Sequence, residues 1–332
     1  MMRRLRSVFA ATAASLLLAS SAVACGSAVS PSPSPLPPPP ASPSTTLPAS
    51  ASPAPSPPPS PESSPSPSPG PSPTESLTEE FPRARFSDPT TIDNPWLPLV
   101  PGTRWVWDGA MNVDEKRASH RVVTTITDLT KEIDGVNAVV AHDLDFVEGR
   151  LVEAEIAFFA QDDDGNIWRM GEYPEEYEDG ELVDAPAWIA GVQDAKAGFA
   201  MKVDPQEGRP SYAQGWGPAI GWTDRARVLE TGSRTCVPFG CIDEVLVIDE
   251  FNRDEPDAHQ LKYYARGVGN VRVGWAGALE TQQETLELVS FGALDPKALA
   301  EVRAEALAMD TRAYQTRPEV YGGTPPAVQP AP

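Results

Sequence analysis

Between residues 81 and 315, apolar and polar residues alternate along the chain with a period of two. In a β-strand, side chains two residues apart lie on the same face, so each such stretch predicts a strand with one buried side. One apolar set is Val136, Ala138, Val140, Leu144 and Phe146, and a second is Val152, Ala154, Ile156 and Phe158. The two sets predict neighbouring strands that each contribute one face to a core.

Glycines that follow an acidic residue separate these stretches at regular intervals. The pairs are Asp134-Gly135, Glu148-Gly149, Asp164-Gly165 and Asp179-Gly180. Such pairs favour tight hairpin turns, because glycine readily adopts the positive φ that these turns need. Further apolar stretches follow as far as Phe291, without a helical pattern between them. The sequence therefore predicts a mainly β fold, a long antiparallel meander that forms a barrel or a strongly curved sheet.

A helix is predicted at the end of this domain. Asp295 can cap it and Pro296 suits its first turn. The apolar residues fall on one helical stripe at Leu299, Val302, Ala306 and Met309. We expect this helix to close a barrel mouth or cover a sheet edge, and residues 316–332 to form a Pro-rich disordered tail.

The first 24 residues have the order of a secretory signal peptide. Three arginines, at positions 3, 4 and 6, precede an uncharged apolar stretch that is too short to span a bilayer as a permanent helix. The stretch ends in Ala22-Val23-Ala24-Cys25, which resembles a bacterial lipobox. This pattern predicts lipidation of Cys25 and anchoring to the outer face of the cell membrane. The alternative is ordinary cleavage after Ala24, which gives a secreted protein with a free Cys25.

Residues 25–80 consist almost entirely of Pro, Ser, Ala and Thr. More than half of the 38 prolines of the chain lie between positions 31 and 73. Such a segment cannot bury a core and favours extended polyproline II conformations. We therefore predict a disordered stalk that carries the β domain of residues 81–315.

The two remaining cysteines, Cys236 and Cys241, flank a Pro and a Gly in the segment Cys-Val-Pro-Phe-Gly-Cys. The Pro and Gly indicate a tight turn, at whose base the two side chains can meet. Exported proteins fold in oxidising compartments, so we predict a disulfide. A metal or redox pair is the alternative, but the spacing does not match either site.

The formal net charge of −21 excludes nucleic acid as a partner, because binding to phosphates needs the opposite sign. The densest acidic run is residues 172–179, which contain five carboxylates. Cation binding is one interpretation of this run. We expect instead a solvated strand edge.

Three histidines, His120, His142 and His259, share a parity with apolar neighbours. They are candidate ligand-facing residues if they point into the interior, and the alternative is three separately hydrogen-bonded side chains. Converging imidazoles could hold a metal, but the spacing of these three is not diagnostic of a metal site, so we assign none, and the sequence indicates no cofactor. We find no G-x-S-x-G, H-E-x-x-H or phosphate-binding glycine loop, so no catalytic residue is assigned.

Three segments resemble a family of bacterial exported proteins and lipoproteins that open with N-P-aromatic-x-P-L-x-P-G-T-x-W. Residues 94–107 carry this opening, as Asn-Pro-Trp-Leu-Pro-Leu-Val-Pro-Gly-Thr-Arg-Trp-Val-Trp. Residues 160–168 and 263–269 add to the likeness. The resemblance implies an exported protein. It implies no activity, because none is assigned to the family.

The sequence leads to one main functional hypothesis. It predicts a cell-surface lipoprotein whose β domain binds a small or lipidic ligand, or an envelope partner, in its concave face. A structural or adhesive surface protein without a ligand pocket is the first alternative. An envelope hydrolase is the second, and it predicts carboxylates or histidines gathered in one cleft with shifted pKa values.

Overall fold

The computed structural model describes residues 76–255 and 257–330, and these residues form a single large β-sheet with C-terminal helices. The first ten strands are β1 Thr103–Val113, β2 Lys116–Ile133, β3 Val136–Val147, β4 Arg150–Gln161, β5 Ile167–Glu178, β6 Glu181–Asp184, β7 Trp188–Ile189, β8 Lys196–Met201, β9 Tyr212–Ala213 and β10 Gly215–Trp216. The other strands are β11 Arg225–Val237, β12 Gly240–Phe251, β13 His259–Ala265, β14 Gly269–Ala276 and β15 Thr285–Ala293. The helices are α1 Pro296–Thr316 and α2 Pro318–Tyr321, with short 3-10 turns at Arg83–Arg85 and Pro218–Ile220.

The sheet is an antiparallel meander, as the sequence predicts. Strands β1 to β5 pair in chain order, and β1 also pairs with β15, which leads back through β14, β13 and β12 to β11. The predicted turns join these strands. Asp134 and Gly135 both have positive φ, of 52° and 79°, which is the backbone of a tight two-residue hairpin turn.

The sheet is open and strongly curved. Its strand order begins at β10 and ends at β9, yet these two strands are separated in the chain only by Gln214. Ala213 pairs with Arg225 of β11, and Gly215 pairs with Ala197 of β8. The five residues 212–216, which we call the seam, therefore bring the two ends of the sheet together.

The main hydrophobic cluster lies between the outer face of β2–β5 and the C-terminal helices. Ile156 and Phe158 of β4 are fully buried in it, together with Met309 of α1 and Tyr321 of α2. Helix α1 begins as predicted, because the Asp295 carboxylate accepts hydrogen bonds from the backbone N–H groups of two first-turn residues. The helix covers a face of the sheet, rather than an edge or a barrel mouth.

The C-terminal segment differs from its prediction. Residues 316–332 are predicted to be disordered, but the described part forms α2 and continues along the sheet, where Val328 pairs with Thr130. Its anchor is Lys131, whose fully buried Nζ lies 2.9 Å from Asp310 Oδ1 and donates to Pro325 O at 2.8 Å. The tail is predicted from the Pro-rich composition of residues 316–332 alone, which gives no information about the buried Lys131 on β2.

The disulfide prediction is confirmed. Cys236 and Cys241 are bonded, and they are register partners at the end of the β11–β12 hairpin, with 4.0 Å between their Cα atoms. The signal peptide, Cys25 and most of the predicted stalk lie outside the described residues. Within that part of the chain no helix is long and apolar enough to cross a membrane.

Candidate functional site

One face of β3, β4 and β5 carries carboxylates on alternate residues. The antiparallel register pairs Asp143 with Glu155 and Asp145 with Glu153, and it then places Glu176 beside Glu153. Register partners in a sheet project to the same side. The carboxylates therefore form one surface across three strands. This surface, the acidic wall, consists of Asp143, Asp145, Glu153, Glu155, Glu172 and Glu176.

The acidic wall lies inside the curved sheet. Arg169 on β5 interacts electrostatically with Glu250 on β12, and Asp143 on β3 does so with Lys262 on β13. These strands are far apart in the strand order, so their side chains approach each other only across the concave interior. The Arg169 guanidinium also lies 5.4 Å from the ring centroid of Trp222. The interior is therefore charged beside β3–β5.

The same inner face is apolar on β1 and β15, where Trp107 is the register partner of Val122 and Leu288. The hydrophobic cluster that packs on the helices lies on the outer side of β2–β5.

The acidic run at residues 172–179 belongs to this interior, so the prediction of a solvated strand edge is wrong. Glu172, Glu175 and Glu176 are at most 4% exposed. Strand β5 is not an edge strand, because it pairs with β4 along one edge and with β6, β7 and β8 along the other. Glu175 points outward, where Arg312 of α1 donates two hydrogen bonds to it at 2.8 and 2.7 Å. Glu172 and Glu176 therefore point to the inner face of the sheet and Glu175 to the outer face, and all three side chains are buried.

The cations of the interior are matched to individual carboxylates. Arg169 Nη1 donates to Glu172 Oε2 at 2.9 Å. Lys262 Nζ lies 2.6 Å from Glu250 Oε2, on the opposite side of the interior from the acidic wall. Buried charges are stable only when paired in this way.

Two oxygens of the acidic wall are not satisfied. Asp143 Oδ2 and Glu155 Oε1 are buried and accept no hydrogen bond from any described residue. Their side chains belong to residues that are only 3% and 2% exposed. Thr124 donates to the other oxygen of Asp143. A buried carboxylate oxygen without a donor is unfavourable, so these two acceptors mark the place where a donor is missing.

Burial raises the pKa values of the wall. It brings the pKa of Asp143 to about 7, against the opposing effects of the Thr124 hydrogen bond and of the positive charges of Arg169 and Lys262. The pKa of Glu155 rises to about 8, through burial and then the negative charges of Glu172 and Asp143. Both carboxyl groups therefore change charge near neutral pH.

His120 closes one end of the wall. Its Nε2 lies 2.6 Å from Asp145 Oδ1, and its Nδ1 lies 3.1 Å from Glu284 Oε1 on the loop before β15. Burial lowers its pKa, but the hydrogen bonds and charges of these two carboxylates outweigh burial and raise the pKa to about 10. His120 is therefore an imidazolium at neutral pH, and it neutralises Asp145.

The other two candidate histidines lie elsewhere. His142 is on the outer face of β3, where burial and then the charge of Arg104 lower its pKa to about 4. His259 lies on the outer face of β13, with its Nδ1 2.7 Å from Asp249 Oδ1. The structure thus places only His120 in the interior. Within residues 76–255 and 257–330, no group of three or more His, Cys, Asp or Glu side chains is arranged to hold a metal ion.

A separate surface pocket of about 520 Å³ lies where the chain enters the domain. Two cationic side chains that line this pocket, Arg225 and Lys202, already contact other groups of the protein. Arg225 donates to Ser76 O and to both oxygens of Ser211, at 2.8 to 2.9 Å. Lys202 Nζ lies over the ring of Tyr212, 4.5 Å from its centroid. Glu79, which the sequence assigns to the stalk, also accepts a hydrogen bond from the Ala213 N–H of the seam at 2.8 Å. Ser76 and Glu79 are therefore held against the folded domain.

Sequence reasoning missed the acidic wall, although its signal is present. Asp143 and Asp145, like Glu153 and Glu155, alternate with the apolar residues that predict the strands. Alternation gives two faces but does not say which face is concave. In a simple sheet the acidic face is solvated, whereas here curvature encloses it.

Comparisons with known proteins give only distant similarity. No family model and no curated protein matches the chain. One similar structure, from Bacteroides fragilis, is described as that of an exported protein with a YmcC-like fold. It has a TM-score of 0.34 and 13% identity, and the match covers 59% of this chain and 98% of that one. Another, described as that of a lipoprotein from Parabacteroides distasonis, has a TM-score of 0.28 and 14% identity, with 62% and 100% covered. Neither likeness is strong enough to indicate a shared ligand or activity.

Proposed function

We propose that this chain is an exported lipoprotein, anchored through Cys25, whose curved sheet binds a small polar ligand on its inner face. The observation that carries the proposal is the pair of unsatisfied buried oxygens on the acidic wall, at Asp143 and Glu155. A ligand that donates hydrogen bonds to them would remove an unfavourable feature of the ligand-free fold.

The acidic wall opposes folding rather than supporting it. Like charges directly opposite each other on neighbouring strands are destabilising, and Asp143 faces Glu155 in this way. The stabilising hydrophobic cluster lies on the other face of the same strands. An inner face that costs stability is typical of a binding site, where the ligand supplies the missing partners.

The wall also favours a polar ligand over a lipidic one. An acyl chain laid against Asp143, Glu153 and Glu155 would cover three carboxylates without donating a hydrogen bond to any of them. Burial of polar groups without such a partner costs free energy. We therefore restrict the predicted ligand to polar molecules.

Export is supported by the sequence and by the disulfide. The first 24 residues have the order of a signal peptide and end at Cys25. The Cys236–Cys241 bond is of the kind that persists outside the cytosol.

Native mass spectrometry of the full chain, purified from its host without denaturation, tests the proposal. We expect a bound small molecule that is absent after unfolding and refolding, and a crystal structure that places it beside Asp143 and Glu155. A screen of amino acids, sugars, amines and lipids by thermal shift provides a second measurement. If no polar compound binds by either method, or if only lipids bind, the proposal is wrong.

A glycoside hydrolase is the second candidate, because carboxylates with raised pKa values share one interior. Glu155, whose pKa is about 8, would be the protonated acid, and a neighbouring ionised carboxylate would be the base. Hydrolysis of a polysaccharide panel, abolished by Glu155→Gln, would favour this function over simple binding. Binding without turnover would favour the first.

A further inference from the structure

We propose that the ligand of the acidic wall is a small organic polycation, a compound with two or more amino or guanidino groups joined by a short apolar chain. This inference rests on the proposed function and specifies the chemistry of its ligand. The residues that would bind the cation are Asp143 and Glu155, with Glu153 one step further along the strands.

The charge distribution of the interior favours a cation. Arg169 is held by Glu172, and Lys262 by Glu250. Asp143 and Glu155 experience the charge of Arg169, but within the described part of the chain they form no ion pair with it, and one oxygen of each receives no hydrogen bond. Once these two groups lose their protons, near pH 7 and 8, an anionic or neutral ligand would leave their charge unneutralised.

The missing groups are donors, which favours an ammonium or guanidinium. Both free atoms are carboxylate oxygens, which accept hydrogen bonds when ionised. An ammonium has three N–H donors and a guanidinium has five. Charge-assisted hydrogen bonds from such groups are the strongest that a carboxylate makes.

The spacing of the carboxylates along the acidic wall favours a ligand with more than one positive charge. Register partners such as Asp143 and Glu155 have Cα atoms about 5 Å apart, so one amino group can reach both. Glu153, whose register partner Asp145 is neutralised by His120, lies two residues further along the strands, about 7 Å away. This is comparable to the separation of the amino groups in a short linear diamine.

Small apolar residues lie beside the first carboxylate pair. Ala141 and Ala157 are register partners, two residues from Asp143 and Glu155 on the same face. Both are at most 1% exposed. They make the inner face apolar on the side of the carboxylate pair that points away from Glu153.

Calorimetry with the full chain at pH 8 tests the inference, with spermidine and putrescine as probes and 1,4-butanediol as the uncharged analogue of putrescine. We expect both amines to bind and the diol not to bind. The double variant Asp143→Asn/Glu155→Gln should lose at least tenfold in affinity. The matched control is Glu230→Gln/Glu301→Gln, which removes two exposed carboxylates and should leave the affinity unchanged.

A second measurement needs no variant. Because Asp143 and Glu155 are partly protonated at pH 7, a bound cation should displace protons from them. The groups that face this pair are Thr124, Arg169 and Lys262, with Glu153 and Glu172 from the wall itself. The enthalpy of spermidine binding should therefore change with the ionisation enthalpy of the buffer, in the sense of proton release.

Several results would overturn the inference. It is wrong if neither amine binds, if both double variants bind spermidine equally, or if Ca²⁺ binds in preference to the amines. It is also wrong if the co-purified molecule is uncharged. That last result would leave the proposed function intact, because a polar ligand would still occupy the interior.

Discussion

Asp143 and Glu155 are register partners on adjacent antiparallel strands, and both carboxyl groups are buried on the concave face of the sheet. Few arrangements are less favourable for two acids, since each raises the cost of ionising the other. Burial is the main cause of their raised pKa values, of about 7 and about 8, and the negative charges of Glu172 and Asp143 add to the rise at Glu155. The pair links the stability of the protein to pH and to any cation that enters the interior.

The ligand-free protein should lose stability as the pH rises from 6.5 to 8.5. Asp143 and Glu155 hold protons in the folded state up to about pH 7 and 8, but release them near pH 4 when unfolded. The unfolded state therefore binds fewer protons in this window, and the free energy of unfolding falls. His120, with its pKa raised to about 10, acts in the same direction. His142, with its pKa lowered to about 4, acts in the opposite direction, but only near pH 6.5, where the unfolded imidazole still holds part of a proton.

Thermal unfolding at several pH values checks this prediction. Asp143→Asn/Glu155→Gln should flatten the decrease and gain stability at pH 8.5, on the order of a few kcal/mol. Glu230→Gln/Glu301→Gln should keep the slope of the wild type. A stability that is constant or rises between pH 6.5 and 8.5 would contradict the raised pKa values.

Replacing Lys131 should release the C-terminal segment. Lys131→Met keeps the length of the side chain but leaves the Asp310 carboxylate without its cation and Pro325 O without its donor. Breaking a buried ion pair in this way costs about 3 to 5 kcal/mol. Hydrogen exchange should increase at residues 318–328 before the sheet unfolds.

The control for this variant is Lys297→Met, because Lys297 is 89% exposed in its side chain and lies 3.8 Å from Glu301. It should change the stability by less than about 1 kcal/mol. Equal exchange at residues 318–328 in Lys131→Met and the wild type would show that the segment is held by other contacts.

The seam should be sensitive to the size of residue 198. A Cβ atom at Gly198 would lie 2.3 Å from Gly215 N and 2.5 Å from Ala213 O, which are backbone atoms of the seam. Gly198→Ala should therefore destabilise the protein by about 1 to 3 kcal/mol. At Gly292 a Cβ would meet nothing within 4 Å, so Gly292→Ala should be neutral or slightly stabilising. Denaturant unfolding of the two variants measures the difference, and equal stabilities would exclude close packing at the seam.

Lipidation can be tested through Cys25. The wild type should fractionate with membranes and incorporate a labelled fatty acid, whereas Cys25→Ser should be released and unlabelled, because its thioether anchor cannot form. Cys236→Ser/Cys241→Ser should remain with the membranes. A released wild type with an unmodified Cys25 would favour the secreted alternative, and a cytosolic protein that retains residues 1–24 would contradict export.

The sequence predicts the elements of this fold better than their arrangement. Strand alternation and Asp-Gly turns locate β3 and β4, and Asp295 locates the start of α1, because these signals are local. The sequence does not reveal that α1 covers the convex face. That depends on curvature, which is set where residues 212–216 join the two ends of the sheet.

The candidate site was missed for the same reason. Asp143 and Glu155 look like solvated strand residues when the sheet is taken as flat. The buried Lys131 is equally hidden from local patterns, because its partners Asp310 and Pro325 lie far away in the chain. Ion pairs between residues that are far apart in the chain produce no periodic pattern of residue types from which they could be predicted.

The hydrophobic cluster on the convex side of β2–β5 determines which positions can be substituted without loss of packing. The residues that pack the strands against α1 are different from those of the acidic wall on the inner face, although the two sets alternate in the same strands. Substitutions of the lining can therefore alter what is recognised, and the stability through the charges that are buried, while the packing of the strands against α1 is kept.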